Sequence, residues 1–160
     1  MTDVLKVGMS EVKITSAPTM LKTTGLGSCI GLCMYDEKLK IGGMAHVMLP
    51  SSVNSKVSEF GAGKYADTAV EFLIKSLKAK GCKKLKAKIA GGAQMFTFSG
   101  GSDIMKVGAR NVKAVKELLA EQNINIISED TGGNKGRTIV FDTDNFHLII
   151  RTIGSDQKTI

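Results

Sequence analysis

Apolar and polar positions change period along this chain, and the changes mark out its elements. Through the first 50 residues short apolar runs are separated by turn residues: "VLKVGM", "MLKTTG", "CIGLCMYD" and "KIGGMAHVML". Runs of this length bounded by Gly, Ser and Asp predict β-strands. "DEKLK" at 36–40 predicts the hairpin connection between the last two, and "PSSVNSKVSEFGAG" at 50–63 is a polar loop carrying four serines. The period then changes to helical. Ala66, Ala69, Val70, Leu73, Ile74 and Leu77 recur at spacings of three and one, which makes one face of a helix over about 64–80, with Gly81 placed to end it. "KLKAKIAGG" alternates lysine with apolar residues as a half-buried strand does. "GARNVKAVKELLAEQN" at 108–123 is a second amphipathic helix, with Val112, Val115, Leu118 and Leu119 inward. "INIISED", "RTIVFDT" and "NFHLIIRTI" predict three more strands. Many strands interrupted by two helices give an α/β layer fold, a sheet packed under helices.

Length and composition narrow the class. A chain of 160 residues fits one domain, taken as 1–160, and can bury a core without staples. The N-terminus "MTDVLKVGMS" has neither the basic nor the apolar region of a secretory signal, and no apolar run approaches the roughly 18 residues of a membrane span. Cys29, Cys33 and Cys82 are an odd count without framework spacing. The expectation is a cytoplasmic protein with free thiols and no membrane insertion. The net charge of +7 suggests an acidic partner, although a solvated lysine surface accounts for it as simply. Aromatic residues make up only 5% of the chain, there is no Trp, and nothing resembles a base-stacking motif. A nucleic-acid-binding domain therefore ranks last.

The sequence bears on three kinds of site chemistry. His46 and His147 are far apart, and no C-x-x-C, H-x-x-x-H or H-E-x-x-H occurs, so no metal is expected. Cys29 and Cys33 on one strand would lie about 13 Å apart, too far to share a disulfide or a metal. "GLGSCI" starts like a dinucleotide fingerprint but has Ile30 at the third glycine, and no phosphate-loop motif is present, so a Rossmann or phosphate-loop nucleotide site is not expected. A cysteine nucleophile remains. In "TTGLGSCIGLC" Gly25, Gly27 and Ser28 leave Cys29 accessible and can turn backbone N–H groups toward an oxyanion. Folding the hairpin about residue 38 makes His46 a cross-strand or diagonal neighbour of Cys29. His147 reads as a solvent-facing strand residue. The competing reading is that Cys29 is a small buried hydrophobe and His46 an incidental neighbour. Cys33, Cys82, Met34, Met44, Met48 and Met95 are read as packing residues.

"GLGSC", "AHVMLP", "KYADTAV", "KIAGGAQMF", "GARN" and "EDTGGNKGR" follow one another over about residues 6–153. In order and spacing they resemble the chemoreceptor glutamine deamidases, the CheD family of bacterial and archaeal chemotaxis. The resemblance implies a mixed β-sheet sandwich flanked by two or three helices, related to cysteine-dependent deamidating toxins. It implies hydrolysis of selected receptor glutamines to glutamate and ammonia by a Cys-His-Thr triad, without a cofactor. Carried over, the cysteine is Cys29 and the histidine is His46. The threonine six residues before the cysteine is Thr23, with Thr24 the choice if the register slips by one. The backbone N–H groups of Cys29 and Ser28 would hold the oxyanion. The implied partners are the cytoplasmic helical domain of a chemoreceptor, as substrate, and a CheC-type phosphatase. Lys83, Lys84, Lys86 and Lys88 could steer the chain toward acidic receptor helices, or could line a solvated strand edge. The alternative from another class is a non-catalytic module that regulates such a phosphatase.

Overall fold

A computed structural model describes residues 2–53, 55, 61–95 and 106–160. The strands are β1 (Val4–Lys6), β2 (Val12–Ser16), β3 (Met20–Leu26), β4 (Ile30–Asp36) and β5 (Ile41–Val47). After helix α1 (Ala66–Ala79) come β6 (Lys86–Gly91) and helix α2 (Val107–Glu121). The chain ends with β7 (Asn125–Thr131), β8 (Arg137–Asp142), β9 (Leu148–Thr152) and β10 (Lys158–Thr159). Two five-stranded mixed sheets result, one ordered β1-β3-β8-β9-β10 and the other β2-β5-β4-β6-β7. The first is called sheet A here and the second sheet B.

The two cores are separated by sheet B. On its outer face Ile30, Leu32, Met34, Ala45 and Val47 pack with Leu73 and Leu77 of α1 and Val115 and Leu119 of α2. On its inner face Cys33, Tyr35, Met44 and Ala90 meet Leu21, Leu26, Ile139, Phe141 and Leu148 of sheet A. The molecule is therefore layered as helices, sheet B and sheet A. β4 lies at the centre of sheet B and is buried at every position. That is why "CIGLCMYD" reads as an almost unbroken apolar run rather than an alternating one. Gly31 on β4 is a point of close sheet contact, since a Cβ there would collide with the Ile139 and Leu26 side chains. At about 25 cal/mol per Å² of apolar area, each fully buried Leu or Ile in these layers contributes about 1.5–3 kcal/mol.

The α/β sandwich with flanking helices agrees with expectation, and both helices start and stop within about two residues of their predicted bounds. The differences are local. β2 was not foreseen, because "VKITS" is short and half polar; it pairs with β5 over Val12↔Ala45 to Ser16↔Ile41. β6 is not a solvated strand edge. It lies between β4 and β7, and Lys88 is buried, its Nζ donating to the Phe146 carbonyl at 2.7 Å and the Ile160 carbonyl at 3.0 Å. The alternation of "KLKAKIAGG" fails there because both faces of a central strand are covered. On α2 the fully inward positions are Gly108, Asn111, Val115 and Leu119, with Val112 and Leu118 only half-buried. Parts of the 50–63 loop and Phe96 of "KIAGGAQMF" lie outside the described residues.

Candidate active site

Thr23 and His46 meet between the sheets, and Cys29 packs against the same inter-sheet core. Thr23 comes from β3 of sheet A and His46 from β5 of sheet B. Gly31 pairs with His46, and Cys29 stands two residues before Gly31 on the same strand line. Side chains two apart share a face, so Cys29 is the diagonal neighbour of His46 on the inner face of sheet B. Cys29 packs against the inter-sheet core and is half-buried.

The hydrogen bonds around Thr23 determine where the imidazole proton is. Thr23 Oγ1 lies 2.6 Å from the Val7 carbonyl and 2.7 Å from His46 Nδ1. A carbonyl can only accept, so the single hydroxyl proton goes to Val7. The threonine oxygen must then accept from Nδ1–H. This selects the Nδ1–H tautomer and leaves the lone pair on Nε2, the nitrogen that a base needs free. Nε2 is buried and has no hydrogen-bond partner among the described residues. The main chain also holds the ring in place: the His46 N–H donates to the Glu11 carbonyl at 3.1 Å, and the His46 carbonyl accepts from the Ser10 N–H at 3.2 Å. Thr24 is exposed, whereas Thr23 is only 2% exposed and His46 0%.

The turn before β4 presents the thiol. Gly25 has φ +71°, in the left-handed region, and the β3–β8 register shifts between Thr23 and Leu26. The Gly27 N–H closes the turn on the Gly25 carbonyl at 3.1 Å. The "AGGA" segment at the end of β6 supports it from beneath. Gly92 N–H donates to the Cys29 carbonyl at 2.9 Å, and Ala93 N–H donates to the Gly27 carbonyl at 2.8 Å. Gly91 has φ +118°, and a Cβ on it would collide with the Cys29 carbonyl. Among the described residues, neither the Ser28 nor the Cys29 N–H has a main-chain acceptor.

Burial sets the resting protonation state. It pushes the Cys29 thiol above its usual 9.0 and the His46 imidazole below its usual 6.5. Removal from water disfavours the charged form of each group. Both shifts favour the uncharged forms, the thiol and the neutral imidazole. Cys33 and Cys82 are buried thiols, one facing sheet A and the other in the helix layer. His147 is exposed, in the turn before β9 and away from these groups. Among the described residues, no three His, Cys, Asp or Glu side chains cluster as metal ligands would. No helix is long and apolar enough to cross a membrane among those residues.

Two participants escaped the sequence. The Val7 carbonyl is a backbone atom, which no residue pattern reveals. Asn111 is buried on α2 and donates from Nδ2 to the Ser28 carbonyl at 2.9 Å and to the Met48 carbonyl at 3.0 Å. Its signal was an asparagine on the inward face of an amphipathic helix.

The chain matches the family described as CheD chemotactic sensory transduction over residues 48–152. It is 49% identical to the chemoreceptor glutamine deamidase CheD of Halalkalibacterium halodurans over 100% of both chains. It is 52% identical to the protein of that name from Bacillus licheniformis, over 99% of this chain and 96% of the relative. The Bacillus subtilis protein of that name is also 52% identical, over 98% and 96%. The family match begins just past His46, whereas the relatives extend over Thr23, Cys29 and His46 as well.

Proposed function

This chain belongs to the CheD family, and from that premise we propose that its chemoreceptor glutamine deamidation runs through Cys29, His46 and Thr23. The activity is hydrolysis of a linear amide, in which a glutamine side chain and water become glutamate and ammonia. The observation that carries the residue assignment is the Val7–Thr23–His46 chain of hydrogen bonds, which leaves a free Nε2 beside the strand line of Cys29.

His46 Nε2 removes the thiol proton as Sγ attacks the amide carbon, so the thiolate forms only as it is used. The carbonyl oxygen becomes an oxyanion held by the Cys29 and Ser28 N–H groups. The imidazolium passes its proton to the departing nitrogen, ammonia leaves, and a thioester to Cys29 remains. Water then attacks the thioester with His46 again as base, and collapse releases glutamate and restores the thiol. Thr23 keeps the ring in one tautomer and orientation throughout, the third-group role of a catalytic triad. Thr23 is neutral and stabilises the transient imidazolium less than a carboxylate would, which suits a base already lowered by burial.

The same reading places the chain in the cytoplasm, acting on the cytoplasmic helices of a chemoreceptor and binding a CheC-type phosphatase. What supports these finer points is the family resemblance. The test is mass spectrometry of a receptor cytoplasmic fragment after incubation with the protein. Each converted glutamine gains about 1 Da, as this hydrolysis requires. An unchanged fragment with the intact protein would instead favour a non-catalytic regulator of the phosphatase.

A further inference from the structure

We infer that Asn111 is a positioning residue that aims the Cys29 N–H at the oxyanion by gripping the other end of the same peptide group. The inference rests on the amide hydrolysis proposed above. Asn111 belongs to α2, on the outer side of sheet B, and is 0% exposed. Its Nδ2 donates to the Ser28 carbonyl at 2.9 Å. The Ser28 carbonyl and the Cys29 N–H belong to one planar trans peptide, so they point in opposite directions. Drawing the carbonyl toward the helix layer turns the N–H toward the inner face, where the Cys29 and His46 side chains lie. That N–H has no main-chain acceptor among the described residues. A hydrogen bond at the carbonyl also polarises the peptide and strengthens its N–H as a donor.

The second Nδ2 proton ties this peptide to the base. It goes to the Met48 carbonyl at 3.0 Å, two residues beyond His46. One side chain thus fixes the nucleophile turn relative to the strand that carries the imidazole. Two carbonyl partners require the nitrogen, not the oxygen, to face them, which settles the amide orientation. The cost is visible, because Asn111 Oδ1 is buried with no partner among the described residues. A buried oxygen without a partner carries a desolvation penalty, which an apolar side chain at this position would avoid.

The test replaces Asn111→Asp, which keeps the shape but cannot donate to both carbonyls, and Asn111→Leu, which is apolar and has no donor. Both are assayed for kcat and KM on a receptor fragment, and for alkylation of Cys29 by iodoacetamide, a displacement at saturated carbon that forms no oxyanion. The expected result is a kcat lower by about 100-fold or more with KM within about threefold, the signature of a lost transition-state donor. The alkylation rate should stay within about threefold of the unsubstituted protein. Unchanged kcat per folded molecule, or alkylation falling in step with kcat, overturns the inference. A measurement on the unsubstituted protein covers the case of poor folding. A peptide aldehyde in place of the target glutamine adds the Cys29 thiol across its C=O to give a hemithioacetal, and the Cys29 amide proton should then move downfield by NMR. Hemithioacetal formation without that shift overturns the role of this peptide while leaving the cysteine chemistry intact. Failure of the unsubstituted protein to deamidate at all would instead remove the reading beneath it.

Discussion

Thr23 Oγ1 and His46 Nδ1 are 2.7 Å apart, yet they belong to different sheets of the sandwich. The hydrogen bond between them crosses the layer that the inter-sheet core fills, so the orientation of the base depends on how the two sheets are docked.

Thr23→Val is isosteric but cannot accept from Nδ1–H, and it should lower kcat by about 10- to 100-fold. Thr23→Ser keeps the hydroxyl and should recover most of the loss. Thr24→Ala changes an exposed side chain and should leave turnover within about twofold. Steady-state kinetics on a receptor fragment decides, and a larger drop for Thr24→Ala would reverse the assignment.

Cys29→Ala and Cys29→Ser should both abolish deamidation while leaving the thermal midpoint within a few degrees. The side chain is half-buried at a turn, and its removal opens little of the core. Residual deamidation by Cys29→Ala would rule out this nucleophile.

His46→Ala should be nearly as damaging as loss of the cysteine, and His147→Ala should be mild because that ring is exposed. Burial holds the imidazole below 6.5, and the base works only unprotonated. The acid limb of kcat/KM in the unsubstituted protein should therefore fall below pH 6.5, with activity lost as pH drops through the lowered value. An acid limb well above 6.5 would show that burial does not set the working protonation of this base, and an alkaline limb set by loss of the His46 proton would point to an imidazolium–thiolate pair instead.

Thiol reactivity should rank Cys29 first. Cys33 is 0% exposed and Cys82 4%, whereas Cys29 is half-buried. Because burial raises the Cys29 thiol above 9.0, its alkylation rate should keep climbing as pH rises past 9. Peptide mapping after brief alkylation would show the order, and early labelling of Cys33 or Cys82 would contradict the packing described above.

Leu73→Ala removes a fully buried side chain between α1 and sheet B, and should cost about 2–5 kcal/mol of stability. Equilibrium denaturation measures this. A loss under 1 kcal/mol would mean that the helix layer repacks freely.

The helices were legible because each has one apolar stripe, as at Ala66, Ala69, Val70, Leu73 and Leu77. The hairpin register was nearly legible too: the 36–40 connection made His46 a cross-strand or diagonal neighbour of Cys29, and the ladder pairs His46 with Gly31. What escaped depends on partners distant in sequence. Lys88 looks like a surface lysine until Phe146 and Ile160 bring their carbonyls to it. Thr23 and Thr24 have the same composition and differ only in which face the strand turns inward. The Gly25 bulge hides that parity from any count made back from Cys29. Asn111 has the spacing of a core position and the chemistry of a polar one, and only its two carbonyl partners explain the mixture.

The relay from the imidazole ends on a main-chain atom, and this changes how the site can fail. Every residue type at position 7 supplies the same carbonyl, so the acceptor is immune to deletion by substitution. Its placement is not immune. Val7 N–H donates to the Lys22 carbonyl at 2.7 Å, and the Val7 side chain is buried in the inter-sheet core. Substitutions there would be sorted by volume and fit rather than by chemistry, and a proline would remove the tether along with the N–H. Under the proposed mechanism the mutational tolerance of the site is thus unevenly spread: strict in chemistry at Cys29 and His46, and strict only in shape at Val7.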